Sequence, residues 1–132
     1  MPPGSARGTL ARVRASDHRC LIVDDSPTFC AAVRCLLEGA GMTVVGAVPS
    51  LAEALESAMA TEPSVILIDV DLGGESGFDV VESLHRALRP CPTMILVSTH
   101  DPEDFAELVE ASPAVGFLQK FELSADRVLQ LL

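Results

Sequence analysis

Four short aliphatic runs, each ending at a polar side chain and each separated from the next by a helix-like segment, constrain this chain more than any other feature. Leu21-Ile22-Val23 runs into Asp24-Asp25, and Val65-Ile66-Leu67-Ile68 runs into Asp69. Met94-Ile95-Leu96-Val97 runs into Ser98, and Val115-Gly116-Phe117-Leu118 is followed by Gln119 and Lys120, the only lysine in the chain. Continuously apolar runs of this length, without alternation, suit strands buried on both faces of a sheet.

The segments between the runs carry helix signals. Ser26 with Pro27 reads as an N-cap and first helical residue, with Phe29, Val33, Leu36 and Leu37 as an inward stripe and Gly39 and Gly41 as the stop. A second strand is expected at Met42–Val48. Ser50 caps the next helix, which carries Leu51, Ala54, Leu55, Ala58 and Met59 and ends before Pro63. Further helices are expected from about Ser76 to Leu88, from Pro102 to Ala111 with Phe105, Leu108 and Val109 inward, and from Ser124. The strands are then 19–24, 42–48, 65–69, 93–98 and 115–119. Five strands alternating with five helices predict a doubly wound (βα)5 α/β domain. It has a five-stranded parallel sheet in the order 2-1-3-4-5, with helices on both faces. Ligands of such sheets bind beyond the carboxyl ends of the strands, where the polar residues stand.

Size and charge narrow the function. A chain of 132 residues suits one domain with a core of its own, and with no Trp or Tyr that core is aliphatic. Residues 1–18, rich in Pro, Gly, Ser and Arg, read as a flexible leader before a domain at 19–132. Arg7, Arg12 and Arg14 against Asp17 put this leader at +2; the remainder, with six basic and 18 acidic residues, stands at −12. So acidic a domain is repelled by phosphate backbones, which argues against direct nucleic-acid binding. No apolar run approaches the ~20 residues of a membrane span, and no secretory h-region follows Met1. A cytoplasmic location without membrane attachment is therefore expected. Cys20, Cys30, Cys35 and Cys91 form no C-x-x-C pair and read as reduced thiols.

Each polar strand end has a plain alternative: Asp24 and Asp25 as helix-terminal charges, Ser98 as a satisfied strand-end hydroxyl, Lys120 as surface decoration. Together they describe phosphoryl chemistry. Three clustered carboxylates repel one another unless a cation joins them. Mg2+ takes oxygen ligands and commonly uses one or two carboxylates plus phosphate oxygens. Asp24 and Asp25 can hold it while Asp69 acts as a nucleophile, forming an aspartyl phosphate. Lys120 offers a point charge and Ser98 a hydrogen bond to the phosphoryl oxygens.

The motifs LIVDDS at 21–26, VILIDVDLGGESG at 65–77, ILVST at 95–99 and GFLQK at 116–120 resemble the receiver domain of two-component response regulators. Separations of 44, 29 and 22 residues between Asp25, Asp69, Ser98 and Lys120 agree with that pattern. The resemblance implies that Asp69 is the phosphoacceptor and that Asp24, Asp25, Asp69 and the backbone carbonyl of Asp71 hold Mg2+. It also implies that Ser98 and Lys120 contact the phosphoryl group, and that Ser98 and Phe117 form the conformational switch. The implied partner is a sensor histidine kinase or phosphotransfer protein, docking on the first helix near Ser26, Pro27, Cys30 and Arg34. The implied output surface includes Phe105 and Phe117, with a phosphorylation-dependent homodimer as one form of output. Such a domain is a signalling phosphoacceptor that assists its own phosphorylation and dephosphorylation, not an enzyme with an external substrate.

Two departures stand out. Gly73 replaces the family's usual proline four residues after the phosphoacceptor, and Phe121 replaces the proline that usually follows the lysine. They leave a second reading open, a pseudo-receiver that binds partners without being phosphorylated. Asp69-Val70-Asp71-Leu72 also resembles the D-x-D motif of haloacid-dehalogenase-type phosphatases, although that motif normally lies on a first strand. The segment 116–132 resembles receivers that precede a helix-turn-helix output domain, so both a stand-alone receiver and a part of a longer regulator fit the sequence.

Overall fold

The computed structural model describes residues 14–132. Its sheet is parallel, with strands in the order β2-β1-β3-β4-β5: β1 is Arg19–Val23, β2 Thr43–Val48, β3 Val65–Asp69, β4 Thr93–Ser98 and β5 Gly116–Gln119. Between and after them lie α1 (Pro27–Gly39), α2 (Leu51–Thr61), α3 (Gly77–Ala87), α4 (Ala106–Ala111) and α5 (Ala125–Gln130). The doubly wound order expected from the alternating pattern is the one observed.

The central strands explain themselves. Every residue of β3 is buried, as are the last four of β1 and the last five of β4. Side chains alternate between two cores. Ile22, Val65, Leu67, Ile95 and Val97 pack with Val33 and Leu37 of α1 and Val128 of α5. Leu21, Val23, Ile66, Ile68, Met94 and Leu96 pack with Ala54 and Ala58 of α2 and Val80, Val81 and Leu84 of α3. Each such aliphatic side chain contributes about 1.5–3 kcal/mol when fully buried. A central strand has no face left for a polar group, so polar side chains gather at its end.

The caps read from the sequence at Ser26 and Ser50 are present, their hydroxyls accepting from the amides of Phe29 and Glu53. The structure adds caps at the expected helix starts Ser124 and Ser76, which accept from Arg127 and Phe78. Several inward assignments differ. Leu36, Met59 and Leu108 are exposed, Met59 at 70%. In α1 the buried stripe runs through Cys30, Val33 and Leu37, whose 3- and 4-residue spacing keeps them on one side. Cys30, expected on the docking face, is therefore turned inward, its thiol donating to Asp24 O at 3.5 Å. The helix expected over 102–111 divides into a 3-10 turn at Pro102–Phe105 and the short α4. Val115 is exposed and stands just outside β5.

Of the leader expected over 1–18, residues 1–13 lie outside the described residues. Ala15–Asp17 form a 3-10 turn with Ala15 against the core, and the His18 ring lies 3.1 Å from Ser64 Oγ. All four cysteines are free, and burial pushes the Cys20 thiol up to about 12. No helix among the described residues is long and apolar enough to cross a membrane.

One close approach fixes how α3 leaves the sheet. Gly77 N–H donates to Val70 O at 2.7 Å, and a Cβ there would lie 2.1 Å from Asp69 O and 2.7 Å from Val70 Cα. Backbone atoms cannot give way as a flexible side chain can. Gly77→Ala is therefore expected to destabilise the fold by about 1–3 kcal/mol or more, read as a fall in the urea midpoint at unchanged m-value; an unchanged midpoint would show that α3 can move away freely.

Candidate functional site

Strand register brings the polar ends level. Val23 pairs with Ile68, Asp69 with Val97, and Ser98 with Gln119, so Asp24, Asp69, Ser98 and Lys120 leave four adjacent strands at one edge. Together with Asp25, Asp71, Gly73, Thr99 and His100, most of them line a cleft of about 230 Å3. Asp24, Asp69 and Ser98 are the buried polar residues of the described chain; Asp25 is exposed.

Carboxylate oxygens of Asp24, Asp25 and Asp69 lie within 4.8 Å of one another. Lys120 Nζ lies 2.7 Å from Asp24 Oδ2 and donates to Asp69 Oδ2 at 3.2 Å. Among the described residues the buried Asp24 Oδ2 has this ion pair and no hydrogen-bond partner. The other oxygens are held by the backbone: Ser26 N–H donates to Asp24 Oδ1 at 2.8 Å, and Asp71 N–H to Asp69 Oδ1 at 3.2 Å. Three carboxylates against one ammonium leave excess negative charge, and this donor set suits a hard divalent cation.

The electrostatics agree. Desolvation, reinforced by the charge of Asp24, pushes the Asp69 carboxyl up to about 6 against the opposing pull of the Asp71 amide and Lys120. For Lys120, burial acts downward, but the bond to Asp24 and the charges of Asp69 and Asp24 outweigh it, and its ammonium is held above the ordinary range.

Sequence reasoning missed four supports. Phe29 lies under Lys120 Nζ, 4.2 Å from ring centroid to nitrogen, a cation–π contact that helps seat the ammonium where no proline follows it. Gly73 adopts φ +76°, which proline cannot, and a Cβ there would meet Asp25 Oδ2 at 3.4 Å. The loop is not loose for lacking proline: Gly73 N–H donates to Asp71 Oδ1, Leu72 N–H to Glu75 O, and Leu51 N–H of α2 to Glu75 Oε1. His100 touches Ser98, its backbone N–H donating to Ser98 Oγ at 3.0 Å and its Nδ1 lying 3.3 Å from the same oxygen. These contacts join residues far apart in sequence or in irregular loops, where no periodicity marks them.

Phe117 is half-buried and packs with Phe105 at a ring-centroid distance of 6.0 Å; Phe105 also meets Phe78 and His100. Phe121, beside Lys120, is 75% exposed.

With fold and site in view, the kinship is plain. The response regulator receiver domain family matches residues 20–132, and this chain belongs to that family. It is 32% identical over 111 residues to a Pseudomonas aeruginosa protein named as a transcriptional regulator, covering 84% of this chain and 53% of that one. The solved signal receiver domain of NarL from Mycobacterium tuberculosis is 31% identical, with a TM-score of 0.69 over 86% of this chain and 94% of its own. A Burkholderia pseudomallei response regulator, solved with a phosphorylated aspartic acid and a calcium ion, shares the fold at 24% identity and a TM-score of 0.74, covering 86% of this chain and 65% of that one. The chain spans about half the length of several curated relatives that it matches. A signalling domain whose D-x-D begins at the end of the third strand displaces the dehalogenase-type alternative.

The raised Asp69 carboxyl has a stability consequence. Its contribution is fully present below the unfolded value near 3.8 and is lost as pH rises through about 6. In chelator-treated protein at pH 7.5, Asp69→Asn is expected to stabilise the fold by on the order of 2 kcal/mol. The gap should close toward pH 4 in denaturant titrations; a gap independent of pH would show that the carboxylate is not strained by its surroundings.

Proposed function

We propose that this receiver domain takes a phosphoryl group from a phosphohistidine onto Asp69 in an Mg2+-dependent reaction and changes conformation to control an output. The observation that carries this reading is the convergence of Lys120 on both Asp24 and Asp69 in a cleft that also holds Asp25 and Ser98. Mg2+ fits the carboxylates of Asp24, Asp25 and Asp69 with the backbone carbonyl of Asp71; bound there, it neutralises charge on phosphoryl oxygens.

The chain's own groups do the rest. A carboxylate oxygen of Asp69 forms a bond to phosphorus while the P–N bond of the donor breaks. The bonding pair goes to the imidazole nitrogen, which takes up a proton from water. Asp71 N–H fixes the orientation of the Asp69 carboxylate. Lys120 can leave Asp69 Oδ2 for a phosphoryl oxygen without losing its anchor, because Asp24 and the Phe29 ring still hold it. Ser98 donates to a second phosphoryl oxygen, and its displacement is coupled to Phe117, which lies on the neighbouring strand.

The phosphodonor is a sensor histidine kinase or a phosphotransfer protein, docking on the outer side of α1 at Pro27 and near Arg34. Phe105 and Phe117 belong to the output side, where a second phosphorylated copy or an output domain binds; the acidity of the domain argues that nucleic acid is not bound by it directly. The domain works in the cytoplasm as a phosphoacceptor that assists its own dephosphorylation.

A small phosphoramidate donor tests the reading. With Mg2+ the protein is expected to gain the mass of one phosphoryl group, labile to hydroxylamine as an acyl phosphate is. Asp69→Asn or chelation abolishes the gain, and Lys120→Met slows it by about 10²-fold. Protein left unmodified at saturating donor and Mg2+ would instead establish a pseudo-receiver.

A further inference from the structure

We propose that His100 is a positioning residue that engages the Ser98 hydroxyl at the cleft wall until the phosphoryl group arrives, so that phosphorylation must displace a hydrogen bond made to the imidazole. The inference rests on the phosphoacceptor reading and deepens it.

The geometry around Ser98 Oγ leaves few choices. The hydroxyl oxygen accepts from His100 N–H at 3.0 Å. One acceptor lone pair and one proton remain, and His100 Nδ1 lies within hydrogen-bond distance at 3.3 Å. A neutral ring with its proton on Nε2 accepts the serine proton at Nδ1, so the proton is engaged by the imidazole. In that state Ser98 is buried and satisfied, yet withheld from a phosphoryl oxygen. To donate to the phosphoryl group, the hydroxyl must rotate off Nδ1.

The ring is also placed to pass this change on. It stands edge-on to Phe105, with centroids 5.8 Å apart and planes at 82°. Phe105 in turn packs on Phe117 at 6.0 Å. The His100 carbonyl accepts from Gln119 Nε2 at 3.2 Å, which ties the same loop to the end of β5 beside Lys120. His100 thus contacts the hydroxyl, the aromatic cluster and the strand that carries the lysine. Releasing the hydroxyl removes the hydrogen bond that holds the ring among the described residues, leaving it free to reorient against Phe105.

A net hydrogen bond of ordinary strength sets the size of the effect. His100→Phe keeps an aromatic ring against Phe105 and removes the acceptor. Beryllofluoride with Mg2+ serves as the phosphoryl probe, followed by backbone amide shifts, since the chain has no Trp or Tyr. His100→Phe is expected to bind the probe about threefold to tenfold more tightly than the unaltered protein. His100→Ala should tighten binding similarly while losing the aromatic contact.

The ring nitrogen shifts provide a readout that a merely structural role would not move. In the resting protein Nδ1 should be the unprotonated, hydrogen-bonded nitrogen, and Ser98→Ala or added beryllofluoride should shift it toward a free imidazole. Weaker or unchanged probe binding by His100→Phe would overturn the proposal while leaving the phosphoacceptor reading intact. So would an Nδ1 shift indifferent to Ser98→Ala, a result obtained without any ligand. Unaltered protein that takes up no beryllofluoride would overturn both.

Discussion

Burial of β1, β3 and β4 on both faces is the constraint on which the rest of the molecule depends. Leu21 to Val23, Val65 to Ile68 and Met94 to Val97 have protein on either side, and an ionised group in their middle would cost several kcal/mol. Polar chemistry is thereby expelled to the strand ends. Because all strands run in parallel, the carboxyl ends share one edge. The cleft is the place where a doubly covered parallel sheet first permits charge, and the register determines which charges meet there.

What meets there is deliberately unbalanced. One ammonium serves two buried carboxylates, with a third at the rim. The arrangement is tolerable because the backbone amides of Ser26 and Asp71 donate to Asp24 and Asp69, and Phe29 lends its ring face to Lys120. It is not fully satisfied, as the raised Asp69 carboxyl records. A site that fully neutralised itself would have little affinity for a cation or a phosphoryl group. The residual negative charge suits the first, and in the proposed reaction the ammonium serves the second.

Around this edge the supporting loops replace one kind of rigidity with another. Where relatives of this fold commonly place proline after the phosphoacceptor and after the lysine, the chain has Gly73 and Phe121. Gly73 takes a left-handed conformation and its loop is tied to α2 through Glu75. Lys120 is held by two carboxylates and an aromatic face. Local covalent stiffness has given way to hydrogen bonds and ion pairs spread over neighbouring elements, and the same elements carry His100 and the Phe78–Phe105–Phe117 cluster.

The sequence by itself determined the alternation of elements, the helix caps at Ser26 and Ser50, the helix starts near Ser76 and Ser124, the strand order and the gathering of Asp24, Asp25, Asp69, Ser98 and Lys120 at one sheet edge. These depend on local signals, namely apolar runs, hydroxyl caps and polar strand ends, or on spacing that a parallel sheet converts into proximity. The sequence stripe placed Val33, Leu37, Ala54 and Ala58 inward correctly, and tertiary structure decided the facing of the rest. Cys30 turned inward while Leu36, Met59 and Leu108 turned out, because a helix's buried stripe is set by the partner it packs on as well as by its own hydrophobicity. It also decided the contacts of Phe29, Glu75 and His100, which arise from loops and helix starts brought together over long separations. No local periodicity encodes such meetings, since they exist only once the sheet has closed the distance.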